Sequence, residues 1–114
     1  MPTIQLALSD RSYGEALCRS LADDRGFRDC RIELVSIPQP QIADVLVIDG
    51  QALEHITLPL PHPERVVLIT QNTTEQLTRA WKAGIVSVIF EHESLSTALL
   101  AILAARYRTC KSVA

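Results

Sequence analysis

The sequence predicts one α/β domain with a parallel sheet covered by helices on both faces. Three observations predict it. Short apolar runs recur at regular spacing along the chain. The stretches between several of them carry apolar residues three and four apart, the period of an amphipathic helix. Two of the runs, 45–48 and 66–69, are continuously apolar, as strands buried on both faces of a parallel sheet must be. The 114 residues suit a single core.

Each element follows in order. Residues 4–8 read as the first strand. Residues 12–24 read as a helix, with Tyr13, Leu17 and Leu21 four apart, Ala16 on the same face, and Ser12 with Glu15 as a capping box. Gly26 marks its end. Residues 31–35 alternate, Ile32 and Leu34 against Arg31 and Glu33, as an edge strand with one wet face does. The runs at 45–48 and 66–69 supply the third and fourth strands. Thr73 or Thr74 caps a helix that runs to Lys82, with Leu77, Ala80 and Trp81 inward and Gly84 as its stop. Residues 86–90 read as the fifth strand. A last helix spans 94–107 on a stripe of Leu95, Ala98, Leu99, Ile102 and Leu103. The domain is expected over 1–107, with 108–114 as a tail or linker.

Two connections are unusual. A parallel crossover takes about a dozen residues or more, yet 36–44 is short and holds Pro38 and Pro40, so a helix there is reduced or absent. The stretch 50–65 contains Pro59, Pro61 and Pro63 and leaves room for one short helix near 51–56.

Composition narrows the function. Hydrophobic residues make up 47% and charged residues 21%, with a formal net charge of −2. That balance suits a folded domain rather than a disordered chain, and it lacks the basic stripe of a nucleic-acid binder. The bases of the last stretch, Arg106, Arg108 and Lys111, oppose the negative end of a helix dipole. Three cysteines (Cys18, Cys30, Cys110) without a C-x-x-C pair argue against a disulfide framework or a thiolate zinc site and fit a reducing compartment. No segment reaches the ~20 apolar residues of a membrane span, and no secretory leader pattern is present. A cytoplasmic location without membrane attachment is the expectation. His55, His62 and His92 have no ligand spacing, and no phosphate-binding glycine loop, nucleophile elbow or H-E-x-x-H motif occurs.

In a parallel α/β sheet, functional side chains gather beyond the carboxyl ends of the strands. Those ends carry Ser9 and Asp10, Asp49, Thr70, and Glu91. Each also has a plain structural reading: Asp49-Gly50 as a turn, Asp10 as a helix cap, Thr70 as a strand end, and Glu91 with Glu93 as acids near the positive end of the last helix.

Four segments, L-A-L-S-D at 6–10, A-D-V-L-V-I-D-G at 43–50, V-V-L-I-T at 66–70 and A-W-K-A-G-I-V-S-V-I-F-E at 80–91, resemble in order and spacing the receiver domains of two-component response regulators. The resemblance implies a flavodoxin-like (CheY-like) three-layer sandwich: a five-stranded parallel sheet of order 2-1-3-4-5, here with the helix between strands 2 and 3 reduced or absent. It also implies roles. Asp49 matches the phosphoacceptor, Thr70 the switch hydroxyl, and Asp10 the second acid of the Mg²⁺-holding pair. Ser9 replaces the first acid of that pair. Glu91 replaces the lysine, with His92 where a proline often follows.

Phosphorylation places roughly −2 of charge on the acceptor. Mg²⁺ and a lysine normally offset it. A carboxylate at the lysine position repels that charge and removes a charge-assisted hydrogen bond, a loss of several kcal/mol in a partly dry site. Asp10, Asp49 and Glu91 still offer oxygens to a hard cation, so a weak Mg²⁺ site on Asp10 and Asp49, without phosphotransfer, is one expectation. No other cofactor and no enzymatic activity are expected.

The implied function is an atypical receiver, or pseudo-receiver. It would be a protein–protein interaction module in signal transduction or transcriptional regulation, independent of phosphorylation. The implied contact face is the helix before the fifth strand, the fifth strand and the last helix, with Arg79, Trp81 and Lys82 near it; it would meet a protein partner, an output domain or a second copy. Trp81 has core packing as its plain reading. Two alternatives stand beside this: a phosphorylatable receiver with Asp49 as acceptor, and a small-molecule-binding flavodoxin-like domain whose pocket is walled by 56–63.

Overall fold

A computed structural model describes residues 2–111, with side chains to Arg108. The elements are β1 (Thr3–Ala7), α1 (Arg11–Asp23), β2 (Arg31–Leu34), β3 (Val45–Asp49), α2 (Gly50–Glu54), β4 (Val66–Thr70), α3 (Thr74–Lys82), β5 (Ser87–Phe90) and α4 (Leu95–Lys111). Single 3-10 turns at Arg25–Phe27 and Pro63–Arg65 complete them. The five strands form one parallel sheet of order β2-β1-β3-β4-β5, as expected. No helix lies between β2 and β3.

The strand period of two explains the layers. Ile4, Leu6, Val45, Val47, Val67 and Ile69 point to one face, where Leu17 and Leu21 of α1 and Ala98, Ile102 and Ala105 of α4 cover them. Leu46, Ile48, Val66 and Leu68 point to the other, against Leu53 of α2 and Ala80 of α3. Every residue of β3 and β4 is buried. Truncating one of their large side chains, such as Leu68→Ala, removes about 2–5 kcal/mol.

The helix ends correct the sequence reading in places. The cap of α1 is Asp10, whose Oδ1 accepts from the Tyr13 amide at 3.1 Å; Ser12 lies inside the helix, so the expected Ser12–Glu15 box does not form. Asp10 is placed outside the helix, at the extended φ/ψ that a cap requires (φ −79°, ψ 101°). Thr73 caps α3 through its hydroxyl, and Gly84, at φ 81°, stops that helix in the left-handed region glycine favours. The last helix runs past the expected end at Tyr107 to Lys111. Its last turns are tied down by Arg106 to the Gly26 carbonyl and Asp29, and by Arg108 to the Ser87 hydroxyl. The expected tail at 108–114 thus begins within a helix, and 112–114 lie outside the described residues.

The missing crossover helix is replaced by a polar clasp. Gln5 of β1 is fully buried in an otherwise apolar strand. Its amide exchanges bonds with Gln39, Nε2 to Gln39 Oε1 and Gln39 N to Gln5 Oε1, both at 3.0 Å, and also reaches Glu33. A buried amide left without partners would cost about 1–3 kcal/mol. Pairing it with the 36–44 strap satisfies it and holds the strap against the sheet. Asp44 closes the strap by accepting from the Thr3 amide at 2.7 Å.

Candidate functional site

The carboxyl ends of β1, β3, β4 and β5 bring Ser9, Asp49, Thr70 and Glu91 to one rim of the sheet. Within that rim the residues have different surroundings.

Asp49 is 9% exposed and ends β3. Its Oδ2 accepts from both the amide (2.6 Å) and the hydroxyl of Ser9; its Oδ1 accepts from the Ala52 amide at 2.9 Å, which makes Asp49 the cap of α2. Three donors therefore hold the carboxylate. Ser9, where the resemblance implies an acid, binds Asp49 directly. An acid there would set two carboxylates side by side and call for a cation between them; a hydroxyl makes a hydrogen bond and needs none.

Gln76 of α3 is a residue that sequence reasoning missed. A Cβ on Gly50 would come within 2.5 Å of the Gln76 Oε1. Glycine after Asp49 thus allows the Gln76 amide to lie across the start of α2. That Oε1 is buried without a hydrogen-bond partner among the described residues. No motif points to Gln76; its part follows from how α3 lies over α2.

Thr70 is 2% exposed, and its hydroxyl donates to the Gln71 carbonyl at 3.3 Å. Its carbonyl accepts from the Glu91 amide at 2.9 Å. The Glu91 side chain is exposed, and among the described residues it makes no ion pair or hydrogen bond. The next residue, His92, stacks its ring on Phe90, with centroids 6.0 Å apart and planes 7° from parallel. Asp10 is exposed and engaged in capping α1.

The Mg²⁺ that the resemblance implies finds a poor fit. Among the described residues no three His, Cys, Asp or Glu side chains gather where a metal ion could join them, so the expected set of Asp10, Asp49 and Glu91 does not assemble. Both Asp49 oxygens already accept from protein donors.

The opposite end of the rim opens into a cavity of about 590 Å³ between the ends of β1, β2 and β3, with Asp49 and Ser9 on its floor. It lies where the sheet changes direction of winding, β1 lying between β2 and β3.

The face around β5 corrects one expectation and supports another. Trp81 is 81% exposed rather than packed in the core. The rotation of α3 explains this. Arg79 pairs with Glu54 of α2 and with Glu75, and the hydrogen bond to Glu54 raises the Arg79 guanidinium above its ordinary pKa. Two residues further, Trp81 points to the other side of the helix, toward the free edge of the sheet. Val86, before β5, and Leu100 and Tyr107 of α4 are likewise exposed. Arg79 itself is committed to α2.

Off the site, burial raises the Tyr13 hydroxyl above its ordinary pKa, with Glu93 adding to the rise. Burial likewise pushes the Cys30 thiol up. Cys18 and Cys30 are free thiols. Among the described residues no helix is long and apolar enough to cross a membrane.

No family model and no curated protein matches the chain. Solved structures do. The non-phosphorylated HemR receiver domain of Leptospira biflexa is similar over 93% of this chain and 94% of its own, at 19% identity and a TM-score of 0.69. A CheY-like receiver domain of Methanospirillum hungatei covers 98% of each chain at 13% identity and a TM-score of 0.67. A pilus assembly protein (CpaE) of Burkholderia thailandensis covers 97% of this chain and 99% of its own at 23% identity and a TM-score of 0.56. Sheet order, the missing crossover helix and these likenesses agree: the chain has the CheY-like receiver fold.

Proposed function

We propose that this chain is an atypical receiver domain that works as a protein–protein interaction module in signalling or regulation, independently of phosphorylation, and not as an enzyme. The observation that carries this is the closure of Asp49: three donors from Ser9 and Ala52 occupy its oxygens, and it serves as the cap of α2. A phosphoryl group on Asp49 would have to break these bonds, and Glu91 would supply no cation to hold it.

The working surface in this reading is the free edge of β5 with Trp81, Val86, Leu100 and Tyr107. Exposed tryptophan and tyrosine beside an unpaired strand edge are the residue types and backbone groups that interfaces use. A protein partner, an output domain or a second copy would meet this face. Two similar structures at 23% identity are named for pilus assembly, which supports use of the fold as an assembly module as well as in response regulators.

The test is the amide spectrum of the ¹⁵N-labelled chain with Mg²⁺ and beryllofluoride or acetyl phosphate at millimolar concentration. The expected result is no change at Asp49, Gly50 and Thr70. Changes centred there would establish the other reading, a phosphorylatable receiver with Asp49 as acceptor and Asp10 assisting Mg²⁺.

A further inference from the structure

The trough left by the absent crossover helix is a built cavity. Its larger part holds about 590 Å³ and its smaller part about 380 Å³; Ser36, Ala52 and His55 line both, so the two are continuous. Clefts of ~300–1,000 Å³ at the switch point of an α/β sheet are the usual setting for a small molecule.

The outer wall is rigid. The strap at 36–44 is pinned through the reciprocal Gln5–Gln39 amide pair, and Pro38 and Pro40 fix the backbone on either side of Gln39. The strap is thereby held in place, and little ordering remains to be done when a ligand enters.

The lining defines the ligand. Leu34, Val35, Ile37 and Ile56 give apolar walls for a flat body. Ser36, Gln51 and His55 make no side-chain hydrogen bond among the described residues, so their donors and acceptors face the cavity unspent. The one guanidinium on the lining, Arg11, is tied to Glu15 at 3.3 Å, and Asp49 lies on the floor. An anion entering here meets two carboxylates and no free cation.

We infer that this trough binds an uncharged planar heterocycle of nucleoside size, with donor and acceptor groups on its edge, and discriminates against its phosphorylated form. The inference stands apart from the fate of Asp49. Phosphoryl uptake would overturn the proposed function and leave binding in the trough untouched.

The test is titration of the labelled chain with adenosine, guanosine and cytidine, and separately with their monophosphates. At least one nucleoside should shift amides confined to 8–15, 34–38 and 51–57, and its monophosphate should bind about tenfold more weakly or less. Ser36→Trp, at an exposed position on the shared wall, should abolish the shifts while keeping the far-ultraviolet spectrum; Leu34→Trp gives a second block should the first disturb the fold. Absence of shifts with all three nucleosides, equal or tighter binding of the monophosphates, or shifts that survive in a folded blocked variant would overturn the inference.

Discussion

The two ends of the strand rim treat a changed residue in opposite ways. At the β1–β3 end, Ser9 stands where an acid is implied, and its hydroxyl and amide both bind Asp49. At the β5 end, Glu91 stands where a lysine is implied, and its carboxylate is exposed without a partner. The sequence reading gave greater weight to Glu91, because reversing a charge is the larger chemical change. The geometry gives the weight to Ser9. A substitution alters a site through the bonds it makes, and Ser9 makes them while Glu91 reaches solvent.

The largest expected effect tests that asymmetry. Ser9→Asp sets a carboxylate against Asp49 and removes a hydrogen bond, which should destabilise the fold by about 2–4 kcal/mol in urea unfolding without metal. Millimolar Mg²⁺ should restore part of the loss in the variant and change the wild type little. An unaltered midpoint would break the comparison. Asp49→Ala comes next, at about 2 kcal/mol, since it removes the cap of α2 and leaves the Ser9 and Ala52 donors without their acceptor. Ser9→Ala should cost about 1 kcal/mol, because the amide bond to Asp49 survives. Glu91→Lys should change stability by no more than about 0.5 kcal/mol, as at other exposed positions; a large shift would show that the β5 end of the rim is coupled to the core.

The smallest effect concerns pH. Burial raises the Tyr13 and Cys30 pKa values in the folded chain. The unfolded chain then loses these protons first as pH rises, so stability should be level at neutral pH. It should fall once the ordinary thiol and phenol range, roughly 8.5–10, is passed. Tyr13→Phe should flatten part of that decline. Its hydroxyl is buried with no partner among the described residues, so the substitution should cost less than about 1 kcal/mol or stabilise slightly. Thermal unfolding of both chains across alkaline pH checks this.

Much of the fold was legible because it rests on local patterns. The continuous apolar runs placed β3 and β4, and the prolines of 36–44 ruled out the crossover helix. Asp49 and Thr70 were legible as strand ends for the same reason. The contacts that decide the site were not, because each depends on residues distant in sequence. Ser9 meets Asp49 across 40 positions, and Gln5 meets Gln39 across 34. Gln5 gave no signal, being one polar residue within an apolar strand. Trp81 was misread because its spacing from Leu77 fits an inner stripe; the Arg79–Glu54 pair sets the helix rotation, and that pair is invisible until α2 and α3 are side by side.

The central claim is that Ser9 closes Asp49 and thereby disarms the site. Its most direct measurement is phosphoryl uptake from acetyl phosphate with Mg²⁺, read by intact mass, for the wild type and for Ser9→Asp combined with Glu91→Lys. The account predicts no adduct on the wild type and an adduct at Asp49 of the double variant. An adduct at Asp49 of the wild type would contradict it.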